Sequence, residues 1–117
     1  MMIKSGIDLV YLPRFKKSLK NGGENFLRRV FTENELNHLR GVTAFFHLGG
    51  VFAAKEAVIK ALNLPSDSWL DVRIKYKKNG APVVEIINHK SKIINHSLSI
   101  AHDGSYIIAQ FVAILDE

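Results

Sequence analysis

The chain of 117 residues contains no cysteine, and this absence narrows the chemistry that it can perform. Disulfide bonds, thiol nucleophiles and cysteine-bound metals are all excluded. The sequence also lacks an apolar run long enough to cross a membrane, and its opening MMIKSGIDLV has no signal-peptide core. We therefore expect a cytoplasmic protein with no membrane partner.

Several binding signatures are missing as well. Neither GxxxxGK followed by Ser or Thr nor GxGxxG occurs, and the histidines of INHKSKIINH do not match the spacing of a zinc site. A sequence pI near 9.6 raises the hypothesis of a small nucleic-acid binder. The sequence has no aromatic RNA-binding strand and no clustered basic stripe, so we rank that hypothesis low and expect no nucleic-acid partner.

The composition that is present is typical of a globular protein. Hydrophobic residues make up 47% and charged residues 23%, and this length suits one domain over residues 1–117. Sixteen Lys and Arg residues against 11 Asp and Glu residues give a net charge of +5. That balance indicates an anionic partner without choosing among the classes of anion.

The first half of the chain reads as one strand followed by helices. IKSGIDLVYL is a strand pattern, residues 13–20 form a helix that NGG ends, and ENFLRRV is a second short helix. FTENEL carries a capping-box pattern and opens a helix that Gly41 ends. Residues 43–62 predict one long helix, in which close approach of another backbone would explain Gly49 and Gly50.

The second half favours hairpins, which gives an α+β fold class. LDVRIKYK and VVEII flank an Asn-Gly turn, and SLSIAH and SYIIAQFVAIL flank a two-residue Asp-Gly turn. NHKSKII between these hairpins predicts a short helix. The last strand is almost wholly apolar, so we expect both of its faces to be covered, by helices or by another subunit.

Two carboxylates stand in unusually apolar surroundings. Asp8 lies inside the first strand, where it is either a solvent-facing residue or a metal ligand. Glu56 lies in FAAKEAVIKAL and forms with Lys60 either an exposed i, i+4 pair or part of a site. Two carboxylates with nearby cations suit Mg²⁺ and a phosphorylated ligand, since Mg²⁺ takes one or two carboxylates and completes its shell with water and phosphate. His102 is a phosphate-binding or proton-transfer candidate, although a lone histidine is more often structural.

Five motifs, in order along almost the whole chain, resemble the holo-acyl-carrier-protein synthase family. This family is the short form of the 4′-phosphopantetheinyl transferases. The motifs are GIDLVYLPRF, FTENEL, FAAKEAVIKAL, NGAPVV and SLSIAHDGSYIIAQ. The resemblance implies the fold of those transferases, with an antiparallel sheet packed against one long helix and shorter helices. It also implies Mg²⁺-dependent transfer of the 4′-phosphopantetheine group from coenzyme A to a serine of an apo acyl carrier protein, releasing 3′,5′-ADP. It further implies a homotrimer with active sites between subunits.

The same resemblance assigns roles to individual residues. It implies Asp8 and Glu56 as metal ligands and Lys55, Lys60 and His102 as coenzyme A contacts. The chemistry of phosphoryl transfer adds two catalytic roles, Glu56 as the candidate base for the carrier serine and Lys60 as a source of charge stabilisation. The basic segment that docks the acidic carrier protein in the family corresponds here to Arg14, Lys17 and Lys20.

The sequence departs from the family pattern at three places. Val51 stands where the family often has arginine, Ala81 replaces the lysine of NGKP, and Ser97 stands where a histidine is common, with His96 one residue earlier. The first two changes remove positive charge that could contact the nucleotide. They leave open an alternative: a homologue that binds coenzyme A or a carrier protein with impaired transfer.

Overall fold

The computed structural model describes residues 1–37, 44–89 and 92–116. Within these ranges the strands form a three-stranded antiparallel sheet of order β1–β5–β4 and a separate two-stranded hairpin of β2 and β3. This arrangement agrees with the predicted α+β class. The strands are β1 (Met2–Tyr11), β2 (Val72–Tyr76), β3 (Pro82–Ile86), β4 (Lys92–Asp103) and β5 (Tyr106–Asp116).

Three α-helices and one 3-10 helix accompany the strands in the described ranges: α1 (Leu12–Val30), α2 (Glu33–Asn37), α3 (Ala44–Leu62) and a 3-10 turn (Trp69–Asp71). Pro13 lies in the first turn of α1, where a missing N–H costs nothing. The backbone leaves the helical region at Gly23, with φ +56° and ψ −144°. The two helices predicted on either side of NGG are therefore the two arms of α1, with the break at Gly23.

The predicted capping box opens α2. The Thr32 N–H donates to Glu35 Oε1 at 2.8 Å, and the Glu35 N–H donates to Thr32 Oγ1 at 3.2 Å. Two N–H groups at the start of the helix are thereby satisfied by side chains. The predicted end of this helix at Gly41 lies outside the described residues.

Helix α3 runs without interruption through both of its glycines. A Cβ on Gly49 would lie 2.8 Å from Ile107 Cδ1, whereas one on Gly50 would meet Ile100 Cγ2 at an ordinary 3.6 Å. The prediction that another backbone approaches these glycines is wrong, because side chains of the sheet face them. The backbone contact is instead at Gly6 of β1, where a Cβ would collide with the Ala57 carbonyl and lie 2.8 Å from Ala61 N.

Two local predictions in the second half of the chain are corrected. Residues 92–94 of NHKSKII belong to β4 and residues 88 and 89 are irregular, so no helix forms in the described part of this segment. Pairing with β5 supplies backbone hydrogen bonds that an isolated segment lacks.

The hairpin loop that follows is Gly104–Ser105, one residue later than predicted, because Asp103 still pairs with Tyr106. Gly104 has φ +56°, as the first position of a type II′ turn requires.

The two faces of the central strand β5 differ. Ile107, Ala109, Phe111, Ala113 and Leu115 alternate along the strand and are buried on the side covered by α3. No described element of the chain covers the opposite face of the sheet, so of the two kinds of cover predicted for β5, cover of this face by another subunit stays a prediction. The exposed apolar residues of this face include Ile3, Ile7 and Leu9 of β1 and Ile108 of β5. In the described ranges, no helix has the length and hydropathy needed to span a membrane.

Candidate active site

The two predicted metal ligands line one cavity. Gly6 brings β1 into backbone contact with α3, and Asp8 follows two residues later on the same face of the sheet. Glu56 projects from the α3 segment that β1 contacts. Both carboxylates line a cavity of about 240 Å³. The structure therefore brings together two residues that are far apart in sequence.

The wall of this cavity is largely aromatic on the side of α1. Phe15 and Phe26 come from the two arms of α1, and Phe52 comes from α3, one turn before Glu56. The ring centroids of Phe15 and Phe52 lie 5.4 Å apart, and those of Phe26 and Phe52 lie 6.3 Å apart. Arg14 and Ser18 add polar groups to the same wall. The kink at Gly23 allows both arms of α1 to face the cavity.

Lys60 pairs with Asp8 instead of Glu56. Its Nζ lies 2.9 Å from Asp8 Oδ1 and donates to the Ile7 carbonyl at 3.1 Å. The Lys60 side chain is 54% exposed and that of Asp8 is 15% exposed. The surface pair between Glu56 and Lys60, one of the two sequence interpretations, does not form. Lys60 is nevertheless placed beside the cavity, with a solvent-facing ammonium.

Glu56 has a partner that the sequence analysis missed. The indole Nε1–H of Trp69 donates to Glu56 Oε1 at 2.9 Å. Trp69 begins the 3-10 turn after α3, directly before LDVRIKYK, and the sequence analysis gave it no role. No sequence signal relates these two residues, because their contact depends on how the chain returns across α3.

Lys55 is not brought to the cavity. Its side chain is fully buried, its Nζ lies 2.8 Å from Glu35 Oε1, and it donates to the Trp69 carbonyl at 2.8 Å. Burial lowers the pKa of Lys55, and the charge of Glu35 opposes that shift. The structure gives Lys55 internal partners, Glu35 and the Trp69 carbonyl, and the coenzyme A contact that the family resemblance implied for it stays a prediction.

Glu35 is therefore more than a helix-capping residue. Its Oε1 accepts from the Thr32 N–H, its Oε2 accepts from the Ile74 N–H at 2.8 Å, and Lys55 neutralises its charge. Only the capping contact was visible in the sequence, since it joins residues three positions apart. The other two contacts connect α2 to β2 and α3.

His102 lies at a second cavity, which shares no lining residue with the first. This cavity has a volume of about 530 Å³ and includes Tyr76, Gly80 and Pro82 of the β2–β3 hairpin. His102 is exposed, and its ring centroid lies 5.7 Å from that of Phe46. Burial and the negative charge of Glu35 raise the pKa of Tyr76 above its ordinary value.

The basic residues predicted to dock a partner lie on the first arm of α1. Arg14, Lys17 and Lys20 are all exposed, and Arg14 also lines the cavity of Asp8 and Glu56. The Arg14 guanidinium carbon lies 5.9 Å from the centroid of the Tyr11 ring. A positive surface therefore begins at the rim of the carboxylate cavity.

The departures from the family pattern have different surroundings. Val51 is only 1% exposed and lines neither the cavity of Asp8 and Glu56 nor the cavity of His102. Having valine instead of arginine at this position therefore removes no charge from the residues that line these two cavities. Ala81 lies between Gly80 and Pro82, which line the second cavity. His96 faces Phe111, with ring centroids 5.7 Å apart, and its Nε2 accepts from the Val84 N–H at 3.4 Å. His96 thus connects the hairpin to the main sheet.

The donor set at the first cavity suits a hard divalent cation. The described contacts engage one oxygen of each carboxylate, Asp8 Oδ1 and Glu56 Oε1, which leaves one oxygen of each for a further ligand. Within residues 1–37, 44–89 and 92–116, no cluster of three or more His, Asp or Glu side chains is placed to hold a metal ion. Two carboxylates with remaining positions filled by water and phosphate are the arrangement that Mg²⁺ prefers.

Comparison with known proteins identifies the family. A sequence profile of the 4′-phosphopantetheinyl transferase superfamily matches residues 4–111. The holo-acyl-carrier-protein synthase of Thermodesulfovibrio yellowstonii is 39% identical over 111 residues, which cover 93% of this chain and 95% of that protein. The chain therefore belongs to the 4′-phosphopantetheinyl transferase superfamily.

Solved structures agree with this membership. The holo-acyl-carrier-protein synthase of Neisseria meningitidis superposes with a TM-score of 0.85 at 29% identity, covering 97% of this chain and 99% of that one. The Helicobacter pylori synthase, solved in complex with coenzyme A, gives a TM-score of 0.83 at 31% identity, covering 97% and 100%. These similarities confirm the resemblance and the fold class predicted from the five motifs.

Proposed function

We propose that the chain transfers the 4′-phosphopantetheine group of coenzyme A to a serine of an apo acyl carrier protein, releasing 3′,5′-ADP. The observation that carries the proposal is the meeting of Asp8 and Glu56 in one cavity, with Lys60 beside it. Two carboxylates, a half-exposed cation and an aromatic wall suit a diphosphate attached to an uncharged arm. The superfamily match and the relatives' names support the same reaction.

The chemistry needs alignment and charge neutralisation more than covalent participation by the protein. The serine oxygen forms a bond to the phosphorus that carries the pantetheine arm, and the bond from that phosphorus to 3′,5′-ADP breaks. Asp8 Oδ2 and Glu56 Oε2 are the oxygens that would hold Mg²⁺, which supplies charge neutralisation at the diphosphate. Lys60 adds positive charge beside them, and Glu56 is our candidate to accept the serine proton, directly or through a water molecule.

We further propose that coenzyme A binds between two copies of the chain in a homotrimer. Asp8 lies on edge strand β1 and His102 on the opposite edge strand β4, with β5 between them and α3 packed on the same face. The two edges are about 10 Å apart, two strand spacings. Adjacent copies can bring the β4 edge of one to the β1 edge of the next. The open apolar face of the sheet, with Ile3, Ile7 and Ile108, supports an interface between copies.

The carrier protein is proposed to dock on the exposed face of α1. Arg14, Lys17 and Lys20 would meet an acidic carrier surface, and Arg14 also lines the catalytic cavity. Docking there would direct the carrier serine toward Asp8 and Glu56. Electrostatic attraction of this kind raises the rate of encounter.

The transfer reaction is tested by incubating the protein with coenzyme A, Mg²⁺ and an apo acyl carrier protein, then measuring the mass of the carrier. We expect a phosphopantetheine adduct and stoichiometric 3′,5′-ADP. Asp8→Asn and Glu56→Gln should each lower turnover by more than the roughly 10- to 100-fold that losing a hydrogen-bond partner of a metal ligand costs. The thermal unfolding curve should stay in place, since both changes preserve side-chain size. Coenzyme A binding without any adduct would favour a non-transferring homologue and contradict the proposed reaction.

The proposed inter-subunit site is tested by mixing two inactive variants. Asp8→Asn and His102→Ala chains are unfolded together and refolded, so that mixed oligomers form. If Asp8 and His102 act across an interface, some interfaces in the mixture contain both native residues and activity returns. If the mixture is no more active than either variant alone, then either both residues belong to the site of one subunit or His102 is not part of the site.

The trimer itself is tested by light scattering. The native chain should have three times the monomer mass of 13.1 kDa. Ile108→Glu, on the open sheet face at 37% exposure, should dissociate it, whereas Leu70→Glu, at a similar 42% exposure away from that face, should not. A native monomer would contradict the proposed assembly.

A further inference from the structure

Trp69 is held at both ends by residues of helix α3. Its indole Nε1–H donates to Glu56 Oε1 at 2.9 Å, and its backbone carbonyl accepts from Lys55 Nζ at 2.8 Å. Lys55 and Glu56 are adjacent in sequence and project from α3 in different directions. One residue of the 3-10 turn therefore bridges the buried ammonium and the cavity carboxylate.

The Lys55 end of this bridge is fixed by the protein interior. Lys55 Nζ lies 2.8 Å from Glu35 Oε1, and both side chains are almost completely buried, at 0% and 2% exposure. Glu35 in turn accepts from backbone N–H groups of Thr32 and Ile74. Among the described residues, no buried side-chain nitrogen or oxygen is left without a partner. The Trp69 backbone is consequently tied to α2, α3 and β2 at once.

The indole ring is also held laterally. Its centroid lies 6.4 Å from that of Phe52, and the Arg29 guanidinium carbon lies 5.9 Å from the ring centroid. The ring packs between a side chain of α3 and one from the last turn of α1. The direction of the indole N–H is set by the Lys55 contact to the Trp69 carbonyl and by packing against Phe52, which lines the carboxylate cavity, whereas exposed Arg29 adds a cation above the ring.

We propose that Trp69 is a positioning residue for Glu56. By occupying Oε1, the indole N–H fixes the rotamer of the carboxylate and leaves Oε2 as the oxygen available to a divalent cation. The inference rests on the proposed function, since it takes Glu56 as a ligand of Mg²⁺. Hydrogen bonds to ligating carboxylates tune affinity in this way, and removing such a partner typically costs 10- to 100-fold in metal affinity or activity.

The proposal has a spectroscopic consequence because Trp69 is the chain's single tryptophan. A cation drawn to Glu56 changes the charge at the indole N–H, so the intrinsic fluorescence should change on Mg²⁺ titration in the presence of coenzyme A. Glu56→Gln should abolish that change. A native fluorescence spectrum that is insensitive to Mg²⁺ while calorimetry detects Mg²⁺ binding would overturn the proposal.

The decisive variant is Trp69→Phe, which removes the N–H donor and keeps an aromatic ring in the same packing. Mg²⁺ affinity is measured by calorimetry with coenzyme A present, alongside kcat and the KM values for Mg²⁺ and carrier protein. We expect Mg²⁺ affinity to fall by about 10- to 100-fold, the KM for the carrier to stay unchanged, and kcat to recover largely at saturating Mg²⁺.

Arg29→Gln is the matched control, because it removes the cation over the indole ring and leaves the N–H in place. It should bind Mg²⁺ with native affinity. Unchanged affinity in Trp69→Phe, or an equal loss in both variants, would overturn the positioning role. Suppose that neither the native protein nor any variant transfers phosphopantetheine, but that Trp69→Phe weakens Mg²⁺ binding and Arg29→Gln does not. The proposed reaction is then refuted, and the positioning role of Trp69 stands.

Discussion

Three charged residues lie within six positions of helix α3 and have three different surroundings. Lys55 is buried against Glu35, Glu56 accepts a hydrogen bond from Trp69 in a cavity, and Lys60 is half-exposed beside Asp8. In the sequence all three are simply charged residues in an apolar segment, and the family resemblance assigned all three to ligand or metal binding. Only Glu56 and Lys60 are placed at the carboxylate cavity, so only they keep a proposed role there.

Lys55 should matter more for stability than for ligand binding. Lys55→Met removes the cation that neutralises buried Glu35, and breaking a buried pair in this way costs about 3–5 kcal/mol. The free energy of unfolding, measured with urea, is the readout. Lys60→Met, in the same helix but with a half-exposed ammonium, should cost less than about 1 kcal/mol. Similar losses in the two variants would contradict the difference in burial.

The pH dependence of stability gives a second test of Lys55. Burial lowers the pKa of its ammonium in the folded chain below the ordinary 10.5 that applies to the unfolded chain. At a pH between the folded and the unfolded pKa, the folded chain therefore binds fewer protons than the unfolded chain. The contribution of this group to the free energy of unfolding therefore increases as the pH rises through that window. Subtracting the pH profile of Lys55→Met from that of the native chain should give a difference that rises toward pH 10.5. A difference that falls with pH would show the opposite shift.

At the scale of elements, the position of Asp8 depends on the contact between β1 and α3. Gly6→Ala would place a Cβ against the Ala57 carbonyl and 2.8 Å from Ala61 N, and neither backbone group is able to move without shifting α3. We expect a loss of about 1–3 kcal/mol or more in unfolding free energy, with reduced transfer activity because Asp8 moves with β1. Urea unfolding and the carrier-mass assay are the measurements.

Gly50→Ala is the control for this prediction. Its Cβ would meet Ile100 Cγ2 at 3.6 Å, an ordinary contact, and alanine stabilises a helix interior by up to about 1 kcal/mol relative to glycine. We therefore expect unchanged or increased stability. A destabilisation equal to that of Gly6→Ala would show that the close approach at β1 is not the cause.

Some local sequence patterns were sufficient to predict the secondary structure that they form, and others were not. The capping box of α2 and the Asn-Gly hairpin were predictable because their contacts join residues a few positions apart. NHKSKII was assigned the wrong structure because β4 depends on pairing with β5, whose partner residues follow later in the chain. The shift of the last hairpin loop by one residue has a similar origin, since the register of two long strands decides which residues turn.

For the whole molecule, the net charge of +5 is expected to act through the surface of α1. Arg14→Glu or Lys17→Glu should raise the KM for the carrier protein roughly tenfold, equivalent to about 1.4 kcal/mol, with a smaller effect on kcat. Added salt should raise the native KM as well, because charges in solvent are screened beyond about 8 Å at physiological ionic strength. Initial rates over a range of carrier and salt concentrations measure both effects.

Lys92→Glu serves as the control for charge alone, since it makes the same reversal at the start of β4 and away from α1. It should leave the KM for the carrier close to the native value. Equal increases in all three variants would attribute the effect to net charge, and an unchanged KM in Arg14→Glu and Lys17→Glu would move the docking surface elsewhere.

The sequence by itself determined the family, the α+β class, the net charge, the cap of α2 and the Asn-Gly hairpin, because each of these depends on composition, on motifs read along the chain or on residues near one another. The tertiary structure decided which charges meet. Asp8 pairs with Lys60 across 52 residues and Glu56 with Trp69 across 13, and burial directs Lys55 toward Glu35. Such pairings depend on how β1, α2 and the 3-10 turn pack around α3, and a charged side chain has no preference in sequence for a partner that folding brings to it.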